Sequence, residues 1–71
     1  MSRPKKRSLT LKGHRTSVSL EDEFWDAFRK IAAERGRAIN DLAAEIDAAR
    51  AADTGLASEI RLFVLRSLRE D

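Results

Sequence analysis

Arg15, Ser17 and Ser19 alternate with Thr16, Val18 and Leu20 in the N-terminal part of the chain. In extended backbone, residues two apart share a face, so one side of this segment is basic and hydroxylated while the other is mainly apolar. That polar set suits hydrogen bonding to base edges. Arg can bond guanine O6 and N7 in the major groove, Ser can bond several bases, and a two-stranded ribbon is narrow enough to enter. Around it lie Arg3, Lys5, Lys6, Arg7, Lys12 and His14, and residues 1–20 contain no acid, a local charge of +6. The remainder carries 8 basic and 12 acidic residues, a balance of −4, so the net +2 of the chain hides an asymmetry. A concentrated basic segment on an acidic body is the footprint of a polyanion ligand, because Lys and Arg release the counterions condensed on a phosphate backbone.

Other chemistry is poorly supplied. There is no Cys and no Tyr, and only one His. Disulfides and thiolate zinc sites are excluded, and a single imidazole cannot build a metal site alone. His14 has no acid within six residues, and no phosphate-cradling glycine motif occurs. The expectation is a non-enzyme with no metal and no cofactor. The aromatic residues Phe24, Trp25 and Phe28 lie at helical spacing among acids rather than among Lys and Arg. They read as core in preference to a stacking platform for single-stranded nucleic acid.

The elements that must position these residues follow from periodicity. Residues 1–7 contain the only Pro and no hydrophobe after Met1, and read as a flexible basic arm. Residues 8–71 form a single domain. Ser8 to Lys12 and Thr16 to Leu20 both alternate, with a turn or bulge at Lys12 to Arg15, giving two short strands or one strand interrupted at Gly13. Neither is apolar enough for the centre of a sheet, and two strands alone are unstable in water, so a second chain is expected to complete the pairing. From Glu21 the period becomes helical: about 21–35 with Phe24, Phe28 and Ile31, about 39–52 with Leu42 and Ile46, and about 56–69 with Leu56, Ile60, Phe63, Val64 and Leu68. Gly36 suits a helix C-terminus, while Asn40 and Thr54 are candidate N-caps.

Seventy-one residues bury only about 60% of the unfolded surface, so a chain without disulfide or metal is expected to lean on oligomerisation. The broad apolar face of the last helix points the same way. No apolar run approaches the ~18 residues of a membrane span, and the basic N-terminus leads into no apolar signal region. A cytoplasmic protein with no membrane partner is expected.

The strand Arg15-Thr-Ser-Val-Ser-Leu20, a helix closed by Glu34-Arg-Gly36, and a second helix opened by a small polar residue together resemble the ribbon-helix-helix family of DNA-binding proteins. More narrowly, the run from Lys6 to Trp25, joining Gly13-His14-Arg15 to Phe24-Trp25, resembles a group of short bacterial proteins of that class. The resemblance implies a mostly α fold with a short N-terminal β-ribbon: a ribbon-helix-helix homodimer with an additional C-terminal helix. It implies that one strand from each chain pairs antiparallel, that Arg15, Ser17 and Ser19 read bases, and that the start of the second helix, Ile39, Asn40 and Asp41, holds a phosphate with its free amides. Arg3, Lys5, Lys6, Arg7, Lys12 and His14 would add phosphate contacts. Val18, Leu20, Phe24, Phe28, Ile31, Leu42, Ile46, Ile60 and Phe63 would form the dimer core. Gly55 to Arg61 also resembles a second-helix opening, which leaves two assignments for the phosphate-holding helix. The implied function is a transcriptional regulator on double-stranded DNA, as a homodimer or a higher-order array. The alternative is a protein-interaction module, antitoxin-like or adaptor, that engages a protein partner through the apolar C-terminal helix.

Overall fold

The structure, a computed structural model, describes residues 2–70. Two strands, β1 (Lys5–Leu11) and β2 (His14–Leu20), pair antiparallel within the one chain. They are joined by Lys12 and Gly13 alone, with φ of 51° and 83°. Positive φ at both central residues is the mark of a type I′ turn, whose twist matches that of the strands it joins. The register follows from the turn: Leu11 opposes His14, Leu9 opposes Thr16, Arg7 opposes Val18, and Lys5 opposes Leu20.

Among the described residues β2 has β1 on one side and no strand on its other edge. One expectation is corrected at β1. Lys5, Lys6 and Arg7, read from composition as part of a flexible arm, belong to that strand. Hydrogen-bonding opposite β2 and ion pairing override their polarity. The hairpin is stable beyond two isolated strands because its inner face, with Leu9, Val18 and Leu20 buried, is covered by helices.

Helix α1 (Asp22–Glu34) carries Asp22 and Glu23 in its first turn, where the partial positive charge of the helix end favours acids. It ends at Gly36, φ 66°, where the Gly36 amide donates to the Ala33 carbonyl at 3.1 Å and the Arg37 amide to the Ala32 carbonyl at 2.9 Å. That pair of bonds is the Schellman closure, which needs a left-handed residue and so favours glycine. Helix α2 (Ile39–Ala49) follows after a short link, and α3 (Leu56–Arg69) after a turn.

The core gathers Leu9, Val18 and Leu20 from the hairpin, Phe28, Ile31 and Ala32 from α1, Leu42 and Ala43 from α2, and Ile60 and Val64 from α3. Phe24, Ile46 and Phe63 pack around it, half-buried. Phe28 meets Phe63 edge to face, 6.0 Å between ring centres. The side chains expected in a dimer core lie in or against this cluster. Leu68, expected to be buried in the dimer, is 58% exposed on the single chain, on the last turn and rotated off the Ile60–Val64 line. Neither candidate N-cap is used as one. Ala38 and Gly55 precede the helices, Asn40 instead accepts the Thr10 amide at 3.1 Å, and the Thr54 hydroxyl donates to the Ala51 carbonyl at 2.9 Å.

Candidate nucleic-acid interface

Strand parity divides the hairpin into two chemically different faces. With Leu9, Val18 and Leu20 inward, the outward set is Lys6, Ser8 and Thr10 from β1 and Ser19, Ser17 and Arg15 from β2, paired across the ribbon in that order. All six are exposed. The face holds two cations, four hydroxyls, no acid and no hydrophobe. Seven residues of strand span about 23 Å at ~3.3 Å each, and two strands stay well within the ~12 Å width of the major groove. The structure thus brings the three expected base-reading residues, Arg15, Ser17 and Ser19, onto one face with Lys6. Ser8 and Thr10 join them, and sequence reading missed both. The two-residue turn was the missing signal, since it fixes which β1 residues share a face with Arg15.

The basic residues separate into free and engaged. Among the described residues, Arg3, Lys6, Lys12 and Arg15 are exposed and make no ion pair. Lys5 and Arg7 do not share that freedom. Both pair with Asp22, Lys5 at 3.1 Å, and the Arg7 side chain is only 16% exposed. Arg7 also donates to the Leu20 carbonyl at 3.2 Å and lies over the Trp25 ring at 5.5 Å. Its expected role as a phosphate contact is corrected on this ground: inward strand parity commits its guanidinium to the fold. The hydrogen bonds from Arg7 and then Lys5 hold the Asp22 carboxyl below its ordinary range. Glu23, hydrogen-bonded by Ser2, is likewise lowered.

The edges of the hairpin are tied by side chains from the helices. Asn40 caps the Thr10 amide on the β1 edge, which places the start of α2 beside the ribbon. The Ile39, Asn40 and Asp41 amides precede the first internal bond of α2, from the Leu42 amide to the Ala38 carbonyl, and so have no acceptor inside the helix. Asp41 shares a shallow cleft with Lys12 and Arg37, and its carboxylate stands where an anion would approach. On the β2 edge, Arg61 of α3 donates to the Ser19 carbonyl at 3.3 Å and grips Glu21 at 2.8 and 3.1 Å. Glu21 is held below its ordinary range first by a backbone hydrogen bond and then by Arg61. No sequence pattern announces Arg61, because it acts across some forty residues. His14 closes the turn end of β2, exposed, in a cleft with Thr16, Asp47, Arg50 and Leu56. Among the described residues no three or more His, Cys, Asp or Glu gather to hold a metal, and no helix is long and apolar enough to cross a membrane.

The sequence pattern of the ribbon-helix-helix domain matches residues 4–68. The chain belongs to the ribbon-helix-helix family. No curated protein and no solved structure matches it. The matched span runs from just before β1 to the last turn of α3, so the first strand and third helix are integral to this ribbon-helix-helix domain.

Proposed function

We propose that this ribbon-helix-helix chain is a sequence-specific DNA-binding protein, a transcriptional regulator that works as a homodimer in the cytoplasm and has no catalytic role. The observation that carries this reading is the outward face of the hairpin, six polar side chains without an acid. Arg15, Ser17 and Ser19 read base edges, with Ser8 and Thr10 beside them. Arg3, Lys6 and Lys12 contact phosphates, which position the protein without reading sequence. The free amides of Ile39, Asn40 and Asp41 take a phosphate at the β1 edge, with Asp41 limiting its strength. His14 flanks the turn.

Selection of bound fragments from random duplex DNA at two salt concentrations tests this. A recurrent short motif, with affinity falling steeply as salt rises, is the expected result. Recovery of no motif, with equal binding to all fragments, would refute sequence reading. The protein-interaction alternative draws on the exposed Leu62, Leu65 and Leu68. It gains ground if no duplex is bound at low salt.

A further inference from the structure

Residues 2–4 precede β1 without hanging free of the fold. Lys5 opposes Leu20, the last residue of β2, so these residues run beyond the end of the ladder, and Pro4 among them has no amide with which to extend it. What holds the segment is the start of α1. The Ser2 hydroxyl donates to the Glu23 carboxylate, and Lys5 pairs with Asp22 at 3.1 Å. Ser2 also lines a shallow cleft with Glu21, Glu23 and Phe24. Between the two ties lies Arg3, exposed and without an ion pair among the described residues. A basic segment is thus laid against Glu21, Asp22, Glu23 and Asp26, the most acidic stretch of the chain.

The ties differ in strength along the segment. The Arg7 side chain is 16% exposed and is held by Asp22, the Leu20 carbonyl and the Trp25 ring together. Lys5 and Asp22 are 61% and 43% exposed, and an ion pair so open to water contributes little. The segment therefore has a fixed end at Arg7 and a releasable end at Ser2 to Lys5. Lys6, opposite Ser19, is the last cation of the outward face of the hairpin, so an anionic chain lying along that face passes Lys6 and meets Lys5 and Arg3 next. We infer that Asp22 and Glu23 latch residues 2–5 onto α1, and that a polyanion opens the latch by taking Lys5 and Arg3 in place of the acids.

The exchange leaves no charge stranded. Lys5 trades one anion for another, and the polyanion sheds condensed counterions as cations reach it, which drives the exchange at low salt. The two carboxylate oxygens of Asp22 have separate partners, Oδ2 with Lys5 and Oδ1 with Arg7, so Asp22 keeps Arg7 when Lys5 departs. The latch lowers affinity for any polyanion without altering which bases the outward face reads. Naming DNA as that polyanion rests on the proposed function; the docked segment does not.

Two measurements on the full chain test the inference, with circular dichroism melts to verify folding. Amide heteronuclear NOEs at low salt read the order of the segment: Arg3 and Lys5 should match the strands in the parent and fall in Asp22→Asn/Glu23→Ala. Titrations with a random-sequence duplex and with heparin, a polyanion without bases, read the exchange. Asp22→Asn should raise affinity for both by roughly two- to fivefold when Lys5 is present and leave it unchanged in Lys5→Gln, a cycle that separates the latch from the mere loss of an acid. Mobile Arg3 and Lys5 amides in the parent overturn the latch, as does an unchanged affinity in Asp22→Asn. An equal gain with and without Lys5 overturns the exchange, and so does a parent that binds neither polyanion. Coupling seen with heparin while no duplex is bound supports the latch and removes the DNA reading. A recurrent duplex motif without the coupling does the reverse.

Discussion

Lys6 and Arg7 are neighbours in sequence with the same charge, and the fold gives them opposite tasks. Lys6 stands on the outer face of the hairpin, exposed and without an ion pair, whereas Arg7 points inward, pairs with Asp22 and covers Trp25. One step along a strand reverses the face, so the useful positive charge of a basic segment is set by parity and not by its total. The same division runs along β2, where Val18 and Leu20 build the core and Ser17 and Ser19 face outward.

The largest effect expected from breaking this division is at Leu20, which is fully buried. Leu20→Ala should cost about 2–5 kcal/mol, read as a shifted urea midpoint, while Ser19→Ala beside it leaves stability nearly unchanged. A comparable loss for Ser19→Ala would show that the faces are not separate. Next comes Arg15→Ala, expected to leave the melt in place and to remove about 1–3 kcal/mol of discrimination at one base position per site. Titrations against matched and mismatched duplexes measure it. Equal losses on both would mean that Arg15 contacts only phosphate.

Arg7→Ala should do the reverse of Arg15→Ala: it should lower stability by about 1–2 kcal/mol through lost contact with Trp25 and the lost hydrogen bond to Leu20, with the folded fraction binding DNA normally. Lys6→Ala should weaken all sequences alike and reduce the slope of log affinity against log salt by about 1. An altered preferred motif for Lys6→Ala would place it among the base-reading residues.

The smallest effect concerns acid. Asp22 is lowered by Arg7 and Lys5, and Glu21 by a backbone hydrogen bond and Arg61. A carboxyl lowered in the folded state stabilises fully above its unfolded value, and that contribution disappears as pH falls through the ordinary carboxylate range near about pH 4 and below. Stability should therefore decline on acidification, and Asp22→Asn should make the decline shallower. Urea titrations at neutral and acidic pH compare the two, and identical slopes would remove Asp22 from the account.

The order of elements was legible in the sequence because each has an unambiguous period: alternation to Leu20, then three apolar stripes spaced by about 3.6. Gly36 announced its own helix end, since few residues tolerate that φ. The base-reading candidates were legible because alternation alone groups Arg15, Ser17 and Ser19. What composition could not reveal was pairing. Lys5 and Arg7 looked like a loose arm because the acid that holds them, Asp22, lies about fifteen residues away on another element. The pairing of β1 with β2 was hidden for a similar reason. Lys12-Gly13 lacks the Asn-Gly or Asp-Gly dipeptide that most strongly marks a two-residue turn, and Lys12 must take a positive φ that its side chain disfavours. An apolar stripe marks residues for burial without saying which molecule covers them.

The two-residue connection at Lys12 and Gly13 has a kinetic consequence. A ribbon assembled from two molecules forms in a second-order step and comes apart as the protein is diluted. A ribbon whose strands are joined by two residues closes by local contacts, on the ~1–10 μs scale of hairpin formation, at a rate independent of how many copies are present. The outward face of the hairpin is then formed in a newly made chain before it meets another. Scarcity of the protein leaves that face intact.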